Sequence, residues 1–350
     1  MIAKLNNIII FTLFAFVLAL VLYPLYIRIL QRLKAQKTLR IDAASGGKAE
    51  IFNQLHGHKA WTPTMGGWMF LLITLFLIGI SYLLQHRWYI SNSLVTRQET
   101  YILLFAFFWM WIRGLVDDRL NIKGSGKDRG LSAKVKLLGM VGLAAWISYW
   151  FYVKLGVDYI NLRPLHGTVS IGFLYPILTF FLTIAIVNAI NITDGLDWLA
   201  GGNMVIVLMV MAVVTFTYKW YLATTLLGII TGCLLAFLMF NIAPAKVFMW
   251  DSWALALGWL LASLVYLINL QDWFFIPFMI LFLLFWLELL SSFLQIIRKK
   301  FFKRKLFPIA PFHHYLEYIG MKEYTIVMKF WILQGILACI TLIVVFYQIH

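Results

Sequence analysis

Long apolar runs recur along the whole of this 350-residue chain, and they constrain its fold more than any other feature. A helix needs about 20 apolar residues to cross the hydrocarbon core of a bilayer. Hydrophobic residues make up 63% of the chain and charged residues only 12%, which leaves too little polar surface to cover a water-soluble domain of this size. The runs therefore predict an all-α, polytopic integral membrane protein with a single membrane domain over 1–350.

Ten segments have the length and composition of membrane spans, and the first is too long for the core of a signal peptide. They are 8–30, 66–85, 99–116, 137–155, 171–190, 203–218, 220–240, 254–271, 273–297 and 325–348. The sixth segment is short and its connection to the seventh is very tight. We expect all ten to be retained as transmembrane helices.

Basic residues are concentrated in the loops on one side of this arrangement. The loops after the first, third and ninth segments hold six, six and seven Lys and Arg residues, whereas the opposite loops hold few. Positive loops mark the cytoplasmic side, so both termini are expected outside. The formal net charge of +15 thus indicates orientation and contact with membrane lipids, and we expect no nucleic-acid partner.

Five polar stretches fall on the same inner side, although the span count did not require them to gather there. They are HKAWTPTMGG (58–67), GLVDDRLNIKGSGKDRGLSAKVK (114–136), NAINITDGLDWLAGG (188–202), FNIAPAKVFMWDSWALALG (240–258) and KLFPIAPFHHYLEYIGMKE (305–323). Their shared location predicts a single site at the cytoplasmic face.

Carboxylates in these stretches indicate a hard metal ion. Asp117 and Asp118 are adjacent, Asp251 follows an apolar segment, and lysines lie nearby without a cysteine ligand. Mg²⁺ fits this set best, since it takes one or two carboxylates together with substrate phosphates. A metal and cations that neutralise phosphate oxygens are what phosphoryl transfer requires.

Simpler interpretations apply to several polar residues of the same loops. A single aspartate at a helix end is often a cap or a solvated group. His313 and His314 could donate a proton or contact phosphate, but adjacent histidines are often only hydrogen-bonded surface residues. We interpret Glu323 as an ordinary loop residue and the basic run 298–305 as a membrane anchor that also holds anionic lipid headgroups.

Six motifs, in order, resemble the signature segments of the phospho-N-acetylmuramoyl-pentapeptide transferases, a family of polyprenyl-phosphate sugar-1-phosphate transferases. They are TPTMGG (62–67), LVDD (115–118), GLSAKVK (130–136), NAINITDGLD (188–197), FNIAPAKVFM (240–249) with Asp251, and APFHHYLE (310–317). The resemblance implies transfer of phospho-N-acetylmuramoyl-pentapeptide from UDP-N-acetylmuramoyl-pentapeptide to undecaprenyl phosphate in peptidoglycan synthesis. It also implies a Mg²⁺ requirement, a location in the bacterial cytoplasmic (inner) membrane and a homodimer.

The resemblance assigns roles by matching position. It implies catalytic or metal-binding roles for Asp117, Asp118, Asp251, His313 and His314, with the three aspartates as the metal ligands. It implies substrate contacts for Lys59, Lys136, Asn188, Asn191, Asp194, Asp197 and Asn241. Whether Asp117 deprotonates or orients the lipid phosphate, or attacks in a two-step scheme, is left open.

Other functions are weighed against this one. A sister enzyme that transfers an N-acetylhexosamine 1-phosphate is the nearest alternative within the class. A transporter is another, because intramembrane carboxylates relay protons, but transporter charges usually lie near the bilayer midplane. A non-catalytic lipid-binding scaffold is the third.

The chain departs from the family pattern in a systematic way. Asn121 stands where the family has a lysine, and Tyr315 replaces a third consecutive histidine. Tryptophan also stands where the family has glycine, at Trp61, Trp198, Trp250, Trp253 and Trp259. One hypothesis is that the codon UGA specifies glycine in the source and was read as tryptophan. The alternative is that the tryptophans are real and belong to a divergent or inactive homologue.

The two explanations predict different activity. Tryptophan does not easily adopt a positive φ or allow close backbone approach to phosphate. If the tryptophans are real, we expect the rings at 250 and 253 to crowd the metal site and weaken transfer.

Overall fold

The structure is a computed structural model that is almost entirely helical. It describes residues 2–33, 35, 62–87, 93–95, 98–123, 133–162, 167–249, 251–271 and 273–349. Its helices are α1 (Ile2–Arg32), α2 (Trp68–His86), α3 (Gln98–Lys123), α4 (Ala133–Tyr149), α5 (Leu174–Thr193), α6 (Leu199–Thr217), α7 (Tyr221–Asn241), α8 (Asp251–Gln271), α9 (Phe275–Leu281), α10 (Leu283–Phe302), α11 (Phe312–Tyr318) and α12 (Glu323–Ile349). A π-helical turn, Trp150–Lys154, extends α4.

Each of the ten predicted spans coincides with a helix or a helix pair. Within the described part of the chain, eight helices are long and apolar enough to cross a membrane, or nine if the bent pair α9 and α10 forms one span. A bilayer offers no water to backbone amides, so a spanning segment must satisfy its hydrogen bonds internally as a helix. The prediction of an all-α polytopic membrane protein is confirmed.

The predicted span 273–297 is not one straight helix. The axes of α9 and α10 meet at 74°, with Phe282 at the junction. The apolar pattern continues across this bend, so hydropathy alone gave no sign of it. The bend lets α10 continue into the basic run that precedes the histidine segment.

A short antiparallel hairpin follows the π-helical turn. Strand β1 (Tyr159–Asn161) pairs with β2 (Thr168–Ser170), with Ile160 opposite Val169. The sequence analysis predicted no strand here.

The helices differ sharply in how much of their surface faces other helices. Most residues of α6, α7 and α8 are buried, and in the apolar 18-residue stretch of α8 the buried share is 89%. In the apolar 18-residue stretch of α1 only 22% is buried, and α4 and α12 are similarly exposed. The exposed faces of the outer helices are apolar, which is the surface that lipid requires.

Two further packing features position the polar loops. Helix α3 packs along α8, and α1 packs along α7. A buried hydrogen-bonded group, Thr183 with Tyr266 at 2.7 Å, joins α5 to α8 in the core. These contacts bring the ends of α3, α5, α7 and α8 together at one end of the bundle.

Candidate active site

The TPTMGG segment is bound directly to the segment that precedes Asp251. The Gly66 amide donates to the Phe248 carbonyl at 2.8 Å, and the Phe248 amide donates to the Pro63 carbonyl at 2.8 Å. A Cβ at Gly66 would lie 2.8 Å from the Phe237 ring and 2.9 Å from the Phe248 carbonyl oxygen. Glycine at this position therefore permits the close approach of the two segments.

A second junction joins the turn at 194–198 to the end of α7. The Trp198 amide donates to Asn241 Oδ1 at 2.8 Å, and Asn241 Nδ2 donates to the Val247 carbonyl at 2.9 Å. The Ala245 amide donates to Asp197 Oδ2 at 3.3 Å. Asn241 and Asp197 are both buried, so in this structure they hold loop backbones together.

Glu323, at the start of α12, completes this junction. Its Oε1 accepts a hydrogen bond from the Asp197 amide at 2.7 Å. The interpretation of Glu323 as an ordinary loop residue is wrong, because it fixes the turn that carries Asp194 and Asp197. Since 126 residues separate the two partners, no local pattern could have found this contact.

Three other polar residues of the NAINITDGLD segment are more accessible. Asn188 and Asn191 lie on the last turns of α5, Asp194 directly follows the helix, and all three are partly exposed. The interval of three residues places Asn188 and Asn191 on adjacent turns of one helix face. Asn188 Nδ2 also donates to the Ile184 carbonyl at 2.7 Å, which orients its amide. These residues form an accessible polar surface at the end of α5 and the start of the turn at 194–198.

The two histidines lie at the start of α11, and each ring contacts a carboxylate through Nδ1. His313 Nδ1 lies 3.0 Å from Glu288 Oε2, and His314 Nδ1 lies 2.7 Å from Glu317 Oε2. The ring centroids of the two histidines are 4.2 Å apart. The sequence analysis missed both acids, although a single carboxylate inside the apolar segment 273–297 was a usable signal for Glu288.

Asp117 lies near the end of α3 with a cation beside it. Lys136 Nζ is 2.5 Å from Asp117 Oδ2, and Arg113 donates to the Lys136 carbonyl oxygen. The Asp117 side chain is 7% exposed and that of Lys136 is 36% exposed. The structure thus brings together one predicted catalytic residue and one predicted phosphate contact.

Helix α3 is tied to the TPTMGG segment near this pair. Trp111 Nε1 donates to the Gly67 carbonyl at 3.4 Å, and the Gly67 amide donates to the Met249 carbonyl at 3.3 Å. The end of α3 that carries Asp117 and the first residue of α8, Asp251, are therefore at the same end of the bundle. The side chains of Asp118 and Asp251 lie outside the described residues, as does the whole of Lys59.

Comparison with known proteins shows which family the chain belongs to. A model of glycosyl transferase family 4 matches residues 100–269. A phospho-N-acetylmuramoyl-pentapeptide-transferase of Geobacillus sp. (strain WCH70) is 33% identical over 318 residues, which is 91% of each chain. Its counterpart in Clostridium acetobutylicum is 31% identical over 331 residues, covering 94% of this chain and 96% of that one.

This chain belongs to the phospho-N-acetylmuramoyl-pentapeptide transferase family. The membership confirms the resemblance drawn from the six motifs and makes the protein a membrane transferase. The match is with the pentapeptide transferases themselves, which favours this branch over the sister enzymes, and it gives no support to a transporter.

Five tryptophans of this transferase stand where the family has glycine, and the structure describes Trp198, Trp253 and Trp259. Trp198 has φ = 58° and precedes α6 in the left-handed region, which non-glycine residues adopt at a cost of about 1–2 kcal/mol. Within the described part of the chain, the buried indole nitrogens of Trp198, Trp253 and Trp259 have no hydrogen-bond partner. The indole nitrogens of Trp68 and Trp331, which do not replace a family glycine, are unpaired in the same way, so this feature does not mark the glycine positions. The left-handed backbone at 198 is the feature that suits glycine, as the family pattern implies.

The expected crowding by Trp253 needs correction. Its ring is fully buried and packs against Phe70 with centroids 5.3 Å apart. The ring therefore fills a contact between α2 and α8 in the core. Trp61 and Trp250 lie outside the described residues, and crowding of the metal site by Trp250 stays a prediction.

The fit of a magnesium ion to this transferase rests on Asp117. A buried carboxylate beside an exposed lysine, at a helix end, supplies the hard oxygen ligand that Mg²⁺ takes. Among the described residues there is no group of three His, Cys, Asp or Glu side chains with metal-binding spacing. Two of the three predicted ligands lie outside that set, so the complete ligand set stays a prediction.

Proposed function

We propose that this transferase moves phospho-N-acetylmuramoyl-pentapeptide from UDP-N-acetylmuramoyl-pentapeptide to undecaprenyl phosphate. Relatives that carry this activity in their names match the chain over more than nine-tenths of its length. That observation carries the proposal. Hydrogen bonds that join the TPTMGG, NAINITDGLD and FNIAPAKVFM segments support it, because one continuous loop assembly suits a large donor.

The proposed reaction exchanges one phosphoanhydride bond for another. An oxygen of the lipid phosphate attacks the β-phosphorus of the nucleotide. The bond from that phosphorus to the bridging oxygen breaks, and UMP leaves with this oxygen. The product is an undecaprenyl diphosphate that carries the sugar peptide. One phosphorus–oxygen bond forms and one breaks, and no atom changes its oxidation state, so the reaction needs neither an oxidant nor a reductant.

Asp117 and Lys136 are the proposed residues at the lipid phosphate. The Lys136 ammonium reaches solvent, so it can turn from Asp117 to an incoming phosphate and neutralise its charge. Asp117 then orients that phosphate or takes part in its activation. A Mg²⁺ ion held by Asp251, Asp117 and Asp118 would supply charge stabilisation for the diphosphate oxygens.

We propose that the sugar-nucleotide donor binds beside the turn at 194–198, which Asn241 and Glu323 hold in place. Asn188 and Asn191 offer amide groups on one accessible face of α5, and Asp194 offers a carboxylate directly after the helix. Asn241 and Asp197 keep that face in place through the backbone contacts described above. Lys59 is proposed to hold phosphate charge in the same site.

The orientation of the site follows from the basic loops. We place the site on the cytoplasmic face of the bacterial inner membrane, where a soluble sugar nucleotide is available, with both termini outside. The exposed apolar faces of the outer helices are proposed to contact lipid and, in a homodimer, a second copy of the chain.

The test is UMP release by purified protein given UDP-N-acetylmuramoyl-pentapeptide, undecaprenyl phosphate and Mg²⁺. Two versions are needed: the chain as written, and one with glycine at positions 61, 198, 250, 253 and 259. UMP release by either version, abolished by Asp251→Asn, is the expected result. No release from either version would contradict the proposed function. Release only with UDP-N-acetylglucosamine as donor would instead favour the sister activity.

A further inference from the structure

Glu288 is a fully buried acid in the otherwise apolar segment 283–290 of α10. A carboxylate in such surroundings is costly unless its oxygens receive hydrogen bonds. It has no place in the reaction as proposed so far, which makes its partners informative.

Within the described residues, both groups that contact the Glu288 carboxylate belong to His313. The His313 backbone amide donates to Glu288 Oε1 at 3.1 Å, and the ring nitrogen Nδ1 lies 3.0 Å from Oε2. A carboxylate beside Nδ1 requires the proton on that nitrogen. Glu288 therefore sets both the ring orientation and the proton position of His313.

The other ring nitrogen points to the turn that carries the predicted donor contacts. A Cβ on Gly195 would overlap His313 Nε2, so the absence of a side chain there makes room for the ring. Nε2 is buried and has no hydrogen-bond partner within the described residues. A buried polar atom left in this state usually has a partner that is not protein.

We propose that Glu288 is a positioning residue that holds His313 so that Nε2 meets a phosphoryl oxygen of the bound donor. This inference rests on the proposed function. A hydrogen bond from Nε2 to that oxygen needs a second proton on the ring, and the Glu288 carboxylate balances the resulting imidazolium charge. His313 touches the substrate, whereas Glu288 acts only through His313.

A double-mutant cycle tests this dependence. Glu288→Gln keeps an oxygen that can accept from the His313 amide but removes the negative charge. We expect kcat to fall roughly 10–100-fold, with KM for the donor changed much less. In a His313→Ala background the same substitution should have almost no further effect on kcat. Equal losses in the two backgrounds, or no loss in either, would overturn the proposal.

Gln295 provides a matched control on the same helix. It is buried, and its side chain binds the backbone at Leu306 and Phe307, ahead of the histidines. In the part of the chain that the structure describes, it makes no hydrogen bond to either imidazole. Gln295→Ala should lower activity or stability by the same factor whether His313 is present or not. This additive behaviour is what a purely structural role for Glu288 would also give.

A spectroscopic readout keeps the inference separate from the transferase assay. Solid-state NMR of the protein with ¹⁵N-labelled histidine can follow the ring of His313, whose signals are assigned by their loss in His313→Gln. Nδ1 should be protonated, and its ¹⁵N chemical shift should change in Glu288→Gln because the carboxylate partner is lost. A neutral ring protonated only at Nε2 would contradict the positioning role. If no version of the protein releases UMP, the proposed function fails while this measurement still decides the Glu288–His313 pairing.

Discussion

Two carboxylate–base pairs lie at the same end of the bundle, and they differ in how firmly they are held. Asp117 and Lys136 are 2.5 Å apart, and more than a third of the lysine side chain is exposed. Glu288 and His313 are 3.0 Å apart, and neither side chain is exposed at all. We propose that the first pair opens to admit a phosphate, because its lysine reaches solvent. The second pair is fully buried, so Glu288 stays on His313 Nδ1, and only the other ring nitrogen, Nε2, is left to meet the donor in our proposal.

The largest effect should come from the pair that opens. Asp117→Asn removes the charge that binds Lys136 and the proposed metal, and we expect kcat to fall by about 10³-fold or more. The variant should still fold, since asparagine keeps the size of the side chain. UMP release with saturating substrates measures it. Retention of more than a tenth of wild-type kcat would show that the two pairs do not differ in this way.

Lys136 should show the next largest effect, chiefly on binding. Lys136→Ala is expected to raise KM for the lipid phosphate roughly 10-fold or more, because one of the cations that neutralise it is lost. Lys136→Arg keeps the charge and should restore part of the loss. An effect on kcat alone, with KM unchanged, would contradict the role of an exchangeable phosphate contact.

His314 and Glu317 form a local version of the second pair, three residues apart on a short helix. Both side chains are slightly exposed, at 7% and 8%, so water can replace part of the lost interaction. We expect Glu317→Gln to lower kcat only several-fold, which is a smaller loss than for Glu288→Gln. The reason is that an ion pair in contact with water contributes less than a buried one. A larger loss than for Glu288→Gln would reverse the ranking of the two histidines.

The smallest predicted effect concerns the turn at 194–198, which His313 adjoins at Gly195. Trp198→Gly and Trp198→Ala remove the same ring, so their difference isolates the backbone conformation. With φ = 58° at this position, glycine should be more stable than alanine by about 1 kcal/mol. Thermal unfolding in detergent measures it. At Trp146, inside α4, alanine should be the more stable by a similar amount.

Sequence reasoning found the helices because lipid imposes a simple requirement on composition. It found the polar segments of the site because they interrupt long apolar runs at regular places. It missed the bend at Phe282, since apolar residues continue on both sides of it. It also misjudged Glu323 and missed Glu288, whose partners are 126 and 25 residues away in the chain. Such contacts depend on how helices pack, which no local pattern records.

The tryptophan pattern shows a different limit of the sequence. Trp198 has a left-handed backbone, as a glycine-specific position would if filled by tryptophan. Reading the gene resolves the hypothesis: UGA codons at the five positions support glycine, and UGG codons exclude it. Equal activity of the tryptophan and glycine versions would remove the crowding argument.

Dependence of UMP release on the lipid acceptor is the most direct test of the transferase reaction. With UDP-N-acetylmuramoyl-pentapeptide and Mg²⁺ present, titration of undecaprenyl phosphate should yield one UMP for each diphosphate-linked lipid formed, and Asp117→Asn should abolish both. Release of more than one UMP per enzyme without lipid acceptor, or no release from either the tryptophan or the glycine version, would contradict phosphoryl transfer to the lipid at this site.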